Sequence, residues 1–129
     1  MKRGEVWKVD LNDAQGSEIN KERPCAVVGS DAISECYVAV LGNDAMGVLP
    51  LRIVVPLTRW QERYAVAPWH IPIETTPENG LHIKSSADTF QVRSISESRF
   101  TKKIGELTPD DLERIKGGLA LCLCMDEEG

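Results

Sequence analysis

The chain has 129 residues, 42% of them hydrophobic and 27% charged, with a formal net charge of −5. That length suits one domain with its own core, and no apolar run approaches the roughly 20 residues of a membrane span. An acidic total argues against indiscriminate binding to nucleic acid, but the acidity is uneven. Residues 108–129 hold six acids and two bases, whereas residues 1–107 hold 14 acids and 13 bases. Two stretches are locally basic: Arg52, Arg59 and Arg63 against Glu62, and Lys84 to Lys103 with five bases against two acids. Local charge, not the total, decides whether phosphates can be paired.

The start, Met1-Lys2-Arg3-Gly4-Glu5, is charged and leads straight into an alternating segment. It lacks the apolar stretch of a signal peptide, so a cytoplasmic location is expected. Trp7, Val9 and Leu11 alternate with Lys8 and Asp10, the pattern of a half-buried strand. A polar link from Asn12 to Arg23 follows and contains Gly16-Ser17-Glu18-Ile19-Asn20-Lys21-Glu22-Arg23-Pro24. It is far longer than a two-residue hairpin turn, so it is either a solvated loop or a working surface held by two strands. Gly16 is expected at positive φ. Cys25 to Gly29, Glu35 to Leu41 and Leu51 to Thr58 read as strands, with turn chemistry at Gly42 to Gly47. Pro56 implies an edge position or a bulge. Trp69 to Ile73 alternates again, Pro77-Glu78-Asn79-Gly80 is a turn, and Ala87 to Ile95 reads as one further strand.

Thr108-Pro109-Asp110-Asp111 is a helix start, with a Thr N-cap, Pro in the first turn and acids beside it. Leu112, Ile115, Leu119 and Cys122 follow at helical spacing, giving a helix over about 109–124. Gly117-Gly118 weakens it by about 1 kcal/mol each relative to Ala, which suggests a close packing partner. Without a repeat or linker, residues 1–129 are expected to form one domain. Many short strands with Pro and Gly turns, closed by a C-terminal helix, predict a mainly β fold, a small and partly open β-barrel.

The four cysteines, Cys25, Cys36, Cys122 and Cys124, include a CxC pair but no CxxC, and there are only two histidines, His70 and His82. That composition indicates neither a zinc site nor any other metal or cofactor; buried reduced thiols are expected.

Arg3-Gly4-Glu5-Val6-Trp7 followed by Asp10-Leu11, then Gly16-Ser17-Glu18 and Arg23-Pro24 before an apolar strand, resembles the MazF/PemK toxins of bacterial toxin–antitoxin pairs. Ile53-Val54-Val55-Pro56-Leu57-Thr58 is similar to that family's strand ending in threonine. Gln91-Val92-Arg93-Ser94-Ile95, Ser98-Arg99 and Ile104-Gly105-Glu106-Leu107-Thr108 resemble its later strand, short helix and helix entry. The resemblance implies an SH3-like barrel of the MazF/PemK/CcdB type and a homodimer. It implies a ribonuclease that cuts single-stranded RNA without a metal, leaving a 2′,3′-cyclic phosphate and a 5′-OH. It also implies an antitoxin protein that blocks the RNA groove. Carried over, the catalytic arginine falls on Arg23 and the catalytic threonine on Thr58. Ser17, Glu18, Lys21, Arg59, Gln91 and Arg93 are the expected RNA-binding residues.

The chemistry is compatible with those residue types. Attack by a ribose 2′-OH brings its own nucleophile, so proximity is already supplied. What remains is stabilising charge on phosphorus and moving protons. An arginine fork can hold two phosphate oxygens, and a threonine hydroxyl can add one more bond. The general base is open, with Glu18 and Glu22 in the same loop.

Taken alone, an arginine before proline is a solvated charge, and a threonine at a strand end makes a local turn bond. Arg93 and Gln91 either line the groove or pair internally. His70 on an alternating strand reads as packed or half-exposed rather than catalytic, and Trp7 as core. Trp60 and Tyr64 would stack on bases or form a dimer contact, for which the helix face and the Leu51–Leu57 strand are further candidates. Residues 42–50, residues 59–68 and Thr89-Phe90 depart from the family pattern, so the RNA sequence preference does not transfer. Two rivals stay open: a CcdB-like toxin acting on DNA gyrase, and an antitoxin-binding module that has lost cleavage.

Overall fold

The computed structural model describes residues 1–31 and 51–125. The strand expected at Glu35–Leu41, the turn at Gly42–Gly47 and Cys36 lie outside the described residues. Within them run β1 (Glu5–Asp10), β2 (Glu22–Val27), β3 (Leu51–Arg59), β4 (His70–Ile73), β5 (Ser85–Asp88), β6 (Arg93–Ser96), β7 (Phe100–Glu106) and helix α1 (Pro109–Cys122). The strands order β4-β5-β3-β2-β1-β7, with β6 also paired to β3, and every pairing is antiparallel. The sheet is an open path, in keeping with a partly open barrel.

β3 organises this sheet. Its first half pairs with β6 (Val54 opposite Arg93), its middle with β2 (Cys25 opposite Pro56) and its end with β5 (Thr58 opposite Ser86). Pro56 is therefore not on an edge strand. It is fully buried, between the stretch paired to β6 and the stretch paired to β5. A residue with no N–H fits the place where the strand changes partner.

Period-two alternation sends side chains to two faces. Val6, Ala26, Val28, Val55, Leu57, Ile73 and Ala87 form one buried cluster, closed by Leu107 and by Ile115 of α1. Val9, Leu11, Cys25, Val27, Val54 and Ile95 form the other, with Trp7, Ile19 and Phe100 packed against it. The helix covers the first face. The second is the face on which the Asn12–Arg23 link lies through Ile19.

Thr108 caps α1 by accepting the Asp111 N–H at 3.0 Å. The helix ends at Cys122, two residues short of the expected end. At Gly118 an added Cβ would lie 2.9 Å from Cγ2 of Thr89, while at Gly117 it would meet nothing within 4 Å. The predicted close partner is thus the Thr89 turn, and only one of the two glycines serves it.

That turn also corrects the single strand expected over Ala87–Ile95. The segment breaks into β5, a 3-10 turn at Thr89–Gln91, and β6. The Asp88 carboxylate accepts the Phe90 N–H at 3.2 Å, and the Thr89 N–H and hydroxyl both donate to the Trp69 carbonyl, at 3.1 and 2.7 Å. The turn lets β5 and β6 pair with different stretches of β3. β7, which alternation alone did not reveal, pairs with β1 through two register shifts.

Candidate active site

Arg23 and Thr58 lie on adjacent strands of the second face. The β2–β3 register runs Val27–Val54, Ala26–Val55, Cys25–Pro56. Continued by two residues, it sets Arg23 opposite Thr58. Arg23 shares the face of Cys25 and Val27, and Thr58 that of Val54.

Both side chains have unused bonding capacity. Among the described residues the Arg23 guanidinium makes one hydrogen bond, from Nε to the Asn20 carbonyl at 3.1 Å, and no carboxylate pairs with it. The Thr58 hydroxyl is buried and has no partner among the described residues. A buried hydroxyl left unsatisfied costs about 1–3 kcal/mol, so one retained beside an unpaired guanidinium points to a ligand.

The link that delivers Arg23 is tied at several points. Leu11 N–H donates to the Lys21 carbonyl at 2.9 Å and closes its base. Gly16 has φ +61 as expected, and Lys21 also lies at positive φ, 69. Gln91, on the Thr89 turn, accepts the Ile19 N–H at 2.6 Å and donates to the Ser17 carbonyl at 3.2 Å. Arg93 donates to the Ile19 carbonyl at 3.1 Å. Arg99 holds Asp13 through two bonds of 2.6 and 2.9 Å, which lowers the Asp13 pKa. Gln91 and Arg93, weighed as groove or internal residues, are thus engaged internally as clamps on the loop.

The two candidate bases in the loop are also engaged. Glu22 accepts from the Thr101 hydroxyl at 2.8 Å, and Glu18 accepts the Gln15 N–H at 2.6 Å. Much of the basic charge counted in the sequence is likewise used in ion pairs: Arg52 with Glu97, Arg99 with Asp13, Lys103 with Glu5 and Glu106, and Lys84 with Glu74. Lys21 and Arg59 are exposed. Arg59 follows Thr58, and Lys21 stands two residues before Arg23, so both flank the pair.

On the other side of Thr58 lies a cluster from the unusual 59–73 segment. His70 Nδ1 is 2.7 Å from the Ser86 hydroxyl, Ser86 is paired to Thr58 across the sheet, and the His70 ring stacks on Tyr64 at 3.8 Å and 4°. Trp60 meets Tyr64 edgewise, and the Lys84 ammonium sits 4.8 Å from the Trp60 ring. Burial lowers the His70 pKa, with Arg63 adding to it and Asp88 opposing. The cluster is packed on itself, as the reading of His70 anticipated. Burial pushes the Cys25 thiol up to about 12, so it stays a thiol. Among the described residues no group of three His, Cys, Asp or Glu side chains is gathered as a metal site, and no helix is long and apolar enough to cross a membrane.

A family model described as PemK-like, MazF-like toxin of type II toxin-antitoxin system matches residues 2–41 and 34–123. The chain belongs to that family. It is 32% identical over 123 residues to Endoribonuclease MazF9 of Mycobacterium tuberculosis, covering 95% of this chain and 96% of that protein. It is 29% identical over 125 residues to Endoribonuclease EndoA of Bacillus subtilis, covering 97% and 96%. The fold matches a crystal structure of MazF from Deinococcus radiodurans with TM-score 0.71 at 19% identity, over 97% of each chain. It also matches a mycobacterial endoribonuclease solved in complex with its cognate antitoxin, with TM-score 0.67 at 17% identity, over 98% of each.

One cavity-lining residue of this MazF-family chain, Phe90, was not among the expected site residues. Ser17, Glu18, Phe90, Gln91, Val92 and Arg93 line a cavity of about 330 Å³. Phe90 was noted only as a departure from the family pattern, yet it is 69% exposed and sits at the mouth of that cavity. A large aromatic directly after a capped Asp88-Thr89 pair was the available signal.

Proposed function

We propose that this chain is the endoribonuclease toxin of a toxin–antitoxin pair, cutting single-stranded RNA by attack of a ribose 2′-OH on the adjacent phosphate. The observation that carries the reading is the placement, on neighbouring strands, of a guanidinium at Arg23 that no described carboxylate pairs and a buried hydroxyl at Thr58 that has no partner among the described residues. The two curated relatives, each matched along nearly its whole length, carry the name endoribonuclease and support it.

In this reading Arg23 holds the non-bridging oxygens of the scissile phosphate and stabilises the charge that grows on them. Thr58 adds a hydrogen bond to the same group. Its hydroxyl is buried as it stands, so a χ1 rotation accompanies binding, and that rotation breaks no existing bond. Lys21 and Arg59 take neighbouring phosphates. The oxygen of the 2′-OH gives up its proton to a base and forms the new bond to phosphorus, the bond to the 5′-oxygen breaks, and that oxygen takes up a proton, so the transfer is proton-neutral overall. The products are a 2′,3′-cyclic phosphate and a 5′-OH. No metal enters the scheme. An antitoxin segment rich in acids would compete for Arg23, Lys21 and Arg59.

A single substrate series tests this. Replacing the 2′-OH just 5′ of the cut with hydrogen should abolish cleavage while binding persists, and EDTA should leave the rate unchanged. Arg23→Ala should lose about 2–4 kcal/mol of transition-state stabilisation, the scale of one preorganised donor. Cutting that survives the 2′-deoxy change would show that water attacks instead. A protein that inhibits DNA gyrase and leaves RNA intact would favour the CcdB-like alternative.

A further inference from the structure

The cavity beside the loop combines features that are not explained by packing. Phe90 is an exposed ring on a turn that cannot easily move. Its N–H is held by Asp88, its neighbour Thr89 is fully buried against Gly118 of α1, and Trp69 stands perpendicular to it at 6.1 Å and 82°. Ser17 and Glu18 line the same cavity, on a loop fixed by Gln91 and Arg93. A rigid flat apolar surface with hydrogen-bonding groups at its rim suits a flat ligand with a polar edge. Unpaired RNA bases are recognised in that way, by stacking on an aromatic ring and bonding along their edges.

We propose that Phe90 is the stacking platform for one unpaired base of the RNA substrate, and that Glu18 selects the base by accepting from its amino group. The inference rests on the reading that this chain binds single-stranded RNA. A carboxylate accepts from the N–H groups of guanine, adenine or cytosine. Uracil has its one N–H between two carbonyl oxygens, which meet the carboxylate unfavourably. Glu18 and Arg93 both line the cavity, and the Arg93 guanidinium is already bonded to the Ile19 carbonyl and to Gln91, so the cavity is assigned to a base and the phosphates to Arg23 and Lys21. Among the described residues Glu18 keeps one oxygen without a partner, since Gln15 engages Oε1.

The test uses 2′-O-methyl oligoribonucleotides, which cannot be cleaved by internal attack, with 2-aminopurine placed at each position in turn. Stacking quenches its fluorescence. Wild type should quench the probe at one position. Phe90→Ala should remove that quench and weaken binding roughly tenfold, the lower part of the range for one stacked base, while Phe90→Trp should keep both. Glu18→Gln should reduce the preference for an amino-bearing base over uracil at that position. Phe90→Ala with unchanged quench and affinity would overturn the proposal, as would a variant that binds RNA normally and loses only self-association or antitoxin binding. Because no step requires cleavage, a wild type that quenches but cuts nothing would overturn the catalytic reading and leave this one standing. A wild type that cuts, with Phe90→Ala binding as tightly, would do the reverse.

Discussion

If Thr58 serves the proposed reaction, it is the residue at which stability and function are opposed. Its hydroxyl is buried with nothing to bond, so Thr58→Val removes an unsatisfied group and keeps the shape. Urea melts should show the variant equal to wild type or more stable by about 1 kcal/mol, while RNA cleavage falls. A structural hydroxyl would behave oppositely, with stability lost and turnover kept. His70 makes a second residue-scale prediction. Burial holds its pKa below the ordinary 6.5, so the unfolded chain takes up a proton that the folded chain refuses. Stability from this residue is complete above pH 6.5 and declines as pH falls below it towards the folded pKa. His70→Gln should flatten that part of a plot of Tm against pH, and an unchanged slope would assign it elsewhere.

At the scale of elements, α1 bears on the site through Gly118. Gly118→Ala would press a methyl against Thr89, which is buried and bonded to Trp69, and should destabilise by about 1–3 kcal/mol. Gly117→Ala faces open space and should stabilise by up to about 1 kcal/mol. Equal effects in denaturant titrations would contradict the packing described. The helix itself was legible from Thr108-Pro109 and its apolar spacing, and β1, β3 and β4 from alternation. The break at Thr89–Gln91 was not, because Thr-Phe-Gln is acceptable strand sequence and the turn is imposed by Asp88 and by a carbonyl from Trp69. β7 was hidden because most of its residues are exposed or half-buried, and its identity as a strand comes from β1. In the candidate site, Arg23 and Thr58 were singled out by the family resemblance, whereas their placement on neighbouring strands depends on a long-range register. The clamping roles of Gln91 and Arg93 are tertiary facts that no local signal carries.

At the scale of the whole molecule, Leu51 and Ile53 at the start of β3 remain 42% and 45% exposed, whereas Leu57, also considered as a contact, is buried in the chain's own core. Exposed apolar neighbours on one strand are expected to be covered by a second copy. Light scattering at micromolar concentration should give twice the 14.3 kDa of one chain, and Leu51→Asp with Ile53→Asp should halve that mass. Persistence of the larger mass in the double variant would move the interface elsewhere.

The ties on the Asn12–Arg23 loop also set an order of events in synthesis. They join positions 72 to 86 residues apart, ending at Gln91, Arg93 and Arg99. Contacts of such separation form only after the intervening chain exists. As residues emerge from the ribosome, Arg23 appears early, but the groups that hold its loop follow only after β5, in and beside β6. A growing chain would thus carry Arg23 beside β1 before the ties of its loop to Gln91, Arg93 and Arg99 exist, and the assembled surface would arise only once residues 91–99 have been made.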